Sequence, residues 1–323
     1  MKKLVVVFLF LFAYTANAQV ARKVVVEHFT NTYCSVCASR NPGFYSNLWQ
    51  FPQVLHLAIH PSSPYPSCPL NQHNKAENDT RTNYYGVFGS TPRLVIQGKA
   101  LASNTNYGDA SIFQNELNKM SDFQVSVNLY RIAANEAEVR VVVKKVAANA
   151  LTNLHLFGAI AEDTIAFNAN NGETKHYDVF RKSLWNIPHA VTAPVNVGDS
   201  SVYVANVVLK SEWGKIYAIA MIQNSVDKEV LQAERSLALS VAALVSNTEV
   251  GNKFVLYPNP VMSTLFTSEN GYYNYAITDP TGRVVKYAEA HRGGIDISGL
   301  LSGTYFIAIH SGDNIKNCRF VKQ

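Results

Sequence analysis

Cys34-Ser35-Val36-Cys37 places two sulfurs one helical turn apart, directly after the apolar run 23–29 and before a segment able to form a helix. At such a handover the pair can cycle between dithiol and disulfide, because a helix N-terminus favours the thiolate of its first cysteine. Exchange needs a thiolate, an accessible sulfur and a second thiol that resolves the mixed disulfide. Cys34 is thus the expected nucleophile, with its sulfur exposed, and Cys37 the more buried resolving thiol. His28, on the preceding run, could favour the thiolate as a cation or shuttle a proton to Cys37 as a neutral imidazole. Strand alternation sends its neighbour Glu27 to the opposite face. Plainer readings stand beside these: a lone histidine on a strand is commonly a packing residue, and two close cysteines can form a permanent disulfide in a domain that only binds.

A second element with chemical meaning is Gly89-Ser90-Thr91-Pro92, a turn leading into the strand 93–97. Pro92 lacks an N–H, so it can hold a loop facing the sulfurs open for a substrate backbone. Cys68 lies in the proline-rich stretch 61–69, where it could trap a mixed disulfide, pair with Cys37 or stay an idle thiol; Cys318 sits near the end of the chain. Cys34, Cys37, Cys68 and His60 offer soft ligands, but no second close pair accompanies them, so neither metal nor dissociable cofactor is expected.

The elements that must position these residues alternate from 24 to about 120. Strands are predicted at 24–29, 53–60 and 93–97, and helices at 42–48, 71–83 and 109–120. Phe44, Tyr45 and Leu48 face inward on the first helix, and Asp109 is the N-cap of the last. From 123 to 243 the pattern becomes β-rich, with candidate strands at 139–146, 154–161, 202–209 and 216–222, so an antiparallel sandwich is the simplest architecture. A polar insertion, 167–178, leads into the aromatic and basic stretch 177–185, which could bind a peptide or glycan; the plainer expectation has Val179 or Phe180 inward and Arg181 and Lys182 in water. After a polar linker comes a compact β module with turns at 279–282 and 302–303.

Three stretches resemble known families. The Cys34–Cys37 motif facing Pro92 is similar to the thioredoxin fold, in which a redox motif faces a cis-proline loop; Tyr33 stands where thioredoxin has tryptophan, Ser35-Val36 replaces its Gly-Pro, and His28 takes the place of its buried acid. Residues 24–243, through Glu27-His28-Phe29-Thr30, the two cysteines, Gly89-Ser90-Thr91-Pro92 and 177–184, resemble the twenty-eight-kilodalton outer-membrane-protein family of Bacteroidetes, which joins a thioredoxin-like domain to a β-rich one. The last module resembles the type A C-terminal sorting domain of the type IX secretion system, through Tyr257-Pro258-Asn259-Pro260, the 279–282 turn, Leu300-Leu301-Ser302-Gly303-Thr304-Tyr305 and the basic end 319–322. That resemblance implies a second export step, with this module removed, and Cys318 with it, or used for surface attachment.

The expected organisation is α+β and multidomain: signal peptide 1–18, thioredoxin-like domain 19–121, β-sandwich domain 122–245, linker 246–252 and a small all-β, Ig-like sorting domain 253–323. The signal peptide is read from Lys2 and Lys3, the apolar stretch 4–13 and Ala16-Asn17-Ala18, with cleavage before Gln19; the apolar stretch is too short to span a bilayer, and no later segment qualifies. At 47% hydrophobic and 16% charged residues over 323 positions, the chain has a sizeable core and does not need a disulfide framework. A net charge of +5 without a basic stripe argues against nucleic acid. Two functions remain: an exported thiol–disulfide oxidoreductase acting on protein thiol or disulfide clients through Cys34, Cys37, Pro92 and His28, and a non-catalytic surface binding or adhesion protein. In either, the type IX machinery is the partner of the C-terminal module.

Overall fold

The computed structural model describes residues 19–133, 135–241, 256–268, 271–311 and 314–323. The expected signal peptide and linker, and the start of the last module, lie outside the described residues. The chain is mostly β, with 47% strand and 12% helix in several sheets.

The largest sheet has ten strands. Val24–Phe29 is its pivot, buried along its whole length, with Val54–Ile59 parallel on one side and Arg93–Ile96 antiparallel on the other. A strand covered on both faces reads as a continuous apolar run, and 24–29 does so apart from Glu27 and His28. The helix Ser35–Leu48 packs Phe44, Tyr45 and Leu48 with Val24 and Val26 on one face. The opposite face meets the helix Lys75–Tyr84, where Arg81 donates to Glu27 from Nε at 2.7 Å and from Nη2 at 2.8 Å. Glu27 and His28 thus take opposite faces of one strand.

The sheet does not stop at residue 121. Lys175–Ser183 lies parallel beside Val54–Ile59, with Val179 opposite Ala58, and continues through Asn153–Ala166 and Lys215–Asn224 to Val230–Arg235. An edge of the first region is thereby paired by a strand from the second, which removes an open hydrogen-bonding edge. Phe123–Ala133, Glu136–Lys145 and Ser200–Val208 form a separate three-stranded sheet. Val139, Val141, Ile160, Ile216 and Ala218 belong to the core that joins it to the far half of the large sheet.

Several local expectations are revised. The first helix begins at Ser35 rather than 42 and carries Pro42 inside it; its start is fixed by Cys34, whose Sγ accepts the Cys37 N–H at 3.0 Å. The predicted helix 71–83 is two, Pro69–Gln72 and Lys75–Tyr84, because the chain leaves helical geometry at Asn74, with φ −158° and ψ 63°. The last helix of this region is shorter, Ser111–Leu117, and Asp109 instead accepts the Ser111 N–H at 2.9 Å just ahead of it. Arg181 is buried rather than solvated: a bulge between Phe180 and Lys182 shifts the alternation, both Val179 and Phe180 are interior, and Arg181 pairs with Glu162, Nε to Oε2, at 2.7 Å.

The last module has a three-stranded and a four-stranded sheet around Leu265, Ile277, Ile295, Ile307 and Phe320. Its 279–282 turn closes as expected: Asp279 Oδ1 accepts the Thr281 N–H at 2.9 Å, and Gly282 takes φ +83°. Phe306 stacks on Tyr130 of the three-stranded sheet, centroids 4.3 Å apart.

Candidate functional site

Cys34 and Cys37 are paired as a disulfide, with Cα atoms 5.2 Å apart. Strand Val24–Phe29 delivers the chain to a short turn in which the Cys34 N–H donates to the Asn31 carbonyl at 3.1 Å. Asn31 is itself anchored, its amide donating to Pro61 O at 3.0 Å and Tyr65 O at 3.1 Å. The proline-rich loop thus braces the turn. Helix N-terminal geometry gives the Cys34 sulfur one backbone donor, the Cys37 N–H, which favours a thiolate there once the disulfide opens.

Pro92 follows a cis Thr91 peptide, and the Thr91 carbonyl oxygen lies 3.5 Å from the Cys34 sulfur. Tyr107 fixes this turn by donating its hydroxyl to Pro92 O at 3.0 Å. The structure therefore brings Cys34, Cys37 and the 91–92 turn together.

The expected exposure of Cys34 is overturned: it is 1% exposed and Cys37 is 0%. The sulfur itself sits against the Thr91 carbonyl, while the backbone of this turn is held from a distant part of the chain. Asn171, in the polar insertion between Asn153–Ala166 and Lys175–Ser183, donates its side-chain amide to the carbonyls of Asn31 and Cys34, each at 3.1 Å, and its backbone N–H to Thr32 O at 3.0 Å. Asn171 and Glu173 are the site residues that sequence reasoning missed. Their only signal was the polarity of the insertion, which does not say where its tip docks.

His28 is wholly buried, ring to ring with Phe44 at 4.5 Å and His56 at 5.8 Å. Burial, reinforced by His56 and Arg40 and only partly opposed by Asn41, holds its pKa well below 6.5, so the imidazole is neutral. That burial disfavours the cationic role. Neither ring nitrogen makes a hydrogen bond of ordinary geometry.

Cys68 is free and buried; Thr32 donates its hydroxyl to the Cys68 sulfur at 3.1 Å, and Cys37 is taken by Cys34. Cys318 is a free, half-buried thiol on the strand Asn314–Lys322, its pKa raised by burial. Among the described residues, no three His, Cys, Asp or Glu side chains are grouped to hold a metal ion, and no helix is long and apolar enough to cross a membrane.

Residues 255–323 match the family described as the secretion system C-terminal sorting domain. No curated protein matches the chain. Among solved structures, HBP35 of Porphyromonas gingivalis is similar over 94% of this chain and 98% of its own, at 13% sequence identity and a TM-score of 0.57, a likeness of fold. A domain of the outer membrane lipoprotein Omp28 from Porphyromonas gingivalis is similar over 36% of this chain and 86% of its own, at 15% identity and a TM-score of 0.27. The chain carries a type IX sorting tail, which implies export to the cell surface or outer membrane.

Proposed function

We propose that this is an exported thiol–disulfide oxidoreductase of the cell surface or outer membrane, built on a thioredoxin-like domain of residues 19–121 and kin to the twenty-eight-kilodalton outer-membrane family. The observation that carries the reading is the placement of the Cys34 sulfur: it caps the helix that follows a central strand, and the carbonyl preceding Pro92 lies 3.5 Å away. Sheet connectivity supports it. A parallel strand pair enclosing the redox helix is followed by an antiparallel strand that the 91–92 turn introduces.

In the oxidising direction, a client thiolate attacks the Cys34 sulfur, the Cys34–Cys37 bond breaks, and Cys37 leaves as a thiolate. A second client thiolate then attacks the client sulfur of the mixed disulfide. Cys34 departs as a thiolate favoured by the Cys37 N–H, and the client leaves as a disulfide, having given up two electrons and two protons. The reverse sequence reduces a client. Protein thiols or disulfides are the clients, and the type IX machinery is the partner of the tail.

The test is reduction of insulin by the exported chain and by Cys34→Ser. Activity in the parent that disappears in the variant supports the reading; equal rates overturn it.

Burial of both sulfurs favours a second reading, a surface binding protein whose disulfide is permanent. The reduction potential separates them: a structural disulfide lies below about −300 mV, and an exchanging pair between about −270 and −120 mV.

A further inference from the structure

The connection 167–174 runs back along the redox helix rather than away from it. Its tip is a tight turn, with the Ala169 N–H donating to Glu173 O at 2.8 Å and the Gly172 N–H to Ala169 O at 3.0 Å; Gly172 takes φ +92°, which a side chain would resist. Two side chains pin this tip to the helix and the turn before it. Asn171 holds the carbonyls of Asn31 and Cys34, and Glu173 accepts from the Asn41 amide at 2.7 Å while its other oxygen accepts from Asn171 at 2.7 Å. Below these pins strap and helix part, leaving a cleft of about 560 Å³ lined by Ala38, Pro42, Tyr45, Trp49 and Tyr177.

A segment held by polar pins over an open cleft can lift without disturbing the core beneath it. Local opening of this kind is expected where hydrogen bonds are partly exposed and apolar packing is thin. The pins are also well placed for control, because Asn171 bonds the carbonyl of the very residue whose sulfur must be reached. We propose that residues 169–173 are a latch on the Cys34–Cys37 disulfide. Closed, it denies the Cys34 sulfur to clients; release of Asn171 and Glu173 admits a client thiol or disulfide alongside the redox helix. The latch deepens the oxidoreductase reading and, as a control on clients, rests on it.

The experiment is the rate at which tris(2-carboxyethyl)phosphine reduces the disulfide in oxidised residues 19–323, read by maleimide labelling. Asn171→Ala and Glu173→Gln are expected to be reduced at least tenfold faster than the parent at unchanged melting temperature. Asn196→Ala, which loosens a remote turn by removing an amide bonded to Asp199, keeps the parental rate. Parental rates in both latch variants overturn the proposal, as does equal acceleration by Asn196→Ala. Should Asn171→Ala lower the melting temperature, Glu173→Gln, which keeps the shape of the side chain, decides alone. Insulin turnover on the same proteins separates the two ideas: faster reduction without turnover in any variant retains the latch and sinks the enzyme, whereas parental turnover without acceleration does the reverse.

Discussion

Asp178 reaches across the seam of the large sheet to His56, its Oδ2 2.9 Å from Nδ1 of the buried imidazole. The other oxygen accepts the Tyr217 hydroxyl at 2.8 Å. Asp178 achieves this with φ +52°, a left-handed backbone that aspartate and asparagine tolerate better than most residues. His56 comes from the strand beside Val24–Phe29, and Tyr217 from the far half of the sheet, so one carboxylate ties both regions together.

Asp178→Asn keeps the size and the backbone preference but removes the charge. The loss of charge-assisted hydrogen bonds to two buried partners is expected to cost about 1.5–3 kcal/mol, measured by urea unfolding. An unchanged midpoint would show that the seam is held by strand pairing alone.

Arg81 and Glu27 are each about 1% exposed and bonded through two oxygens, on the face of Val24–Phe29 opposite His28. Arg81→Met leaves a carboxylate buried without its cation, which is expected to cost about 3–5 kcal/mol. Glu27→Gln together with Arg81→Met restores neutrality and is expected to recover part of that loss, which a double-mutant cycle in denaturant measures.

His28 and His60 are fully buried, and desolvation holds both well below the ordinary 6.5. Unfolded histidines bind protons as pH falls through 6.5 and these two do not, so their contribution is complete above that pH and erodes below it. Each adds up to about 1.4 kcal/mol per pH unit below pH 6 until it protonates in the folded state, so stability is expected to fall as the solution is acidified. His28→Leu should flatten the slope by one histidine's share while leaving stability at pH 7 unchanged or raised. Chemical denaturation at pH 7, 6 and 5 checks it.

Cys37→Ser frees Cys34 from its partner and, under the proposed exchange, removes the resolving thiol. Client-sized adducts are expected on non-reducing gels of this variant, more of them when Asn171→Ala is added. The doubly substituted Cys34→Ser/Cys37→Ser chain should show none; adducts there would assign the trapping to Cys68 or Cys318.

The alternation of strand and helix over residues 24–120 was legible because each element is local and its periodicity is its own. Opposite facing of Glu27 and His28 followed from the two-residue strand repeat, and the disulfide partners from their spacing. Burial of Cys34 was not legible, since the Thr91 carbonyl at its sulfur and the Asn171 amide at its backbone come from distant parts of the chain, and no local pattern announces where a polar loop tip will dock. Arg181 was misjudged for a related reason: a bulge changes which residues face inward, and its partner Glu162 lies on the neighbouring strand. The neutral state of His28 likewise depends on Phe44 and His56, which arrive from other elements.

The parallel pairing of Lys175–Ser183 with Val54–Ile59 bears on how the molecule can be divided. A fragment ended at residue 121 would strip that neighbour away, leaving naked amides along Val54–Ile59 and wetting Leu57 and Phe29, which now share a core with Phe180 and Ile219. Such a piece would associate with itself rather than stand alone as a portable unit. Trimming the sorting tail leaves this joint untouched, so the two upstream regions travel, survive and fail as a single body.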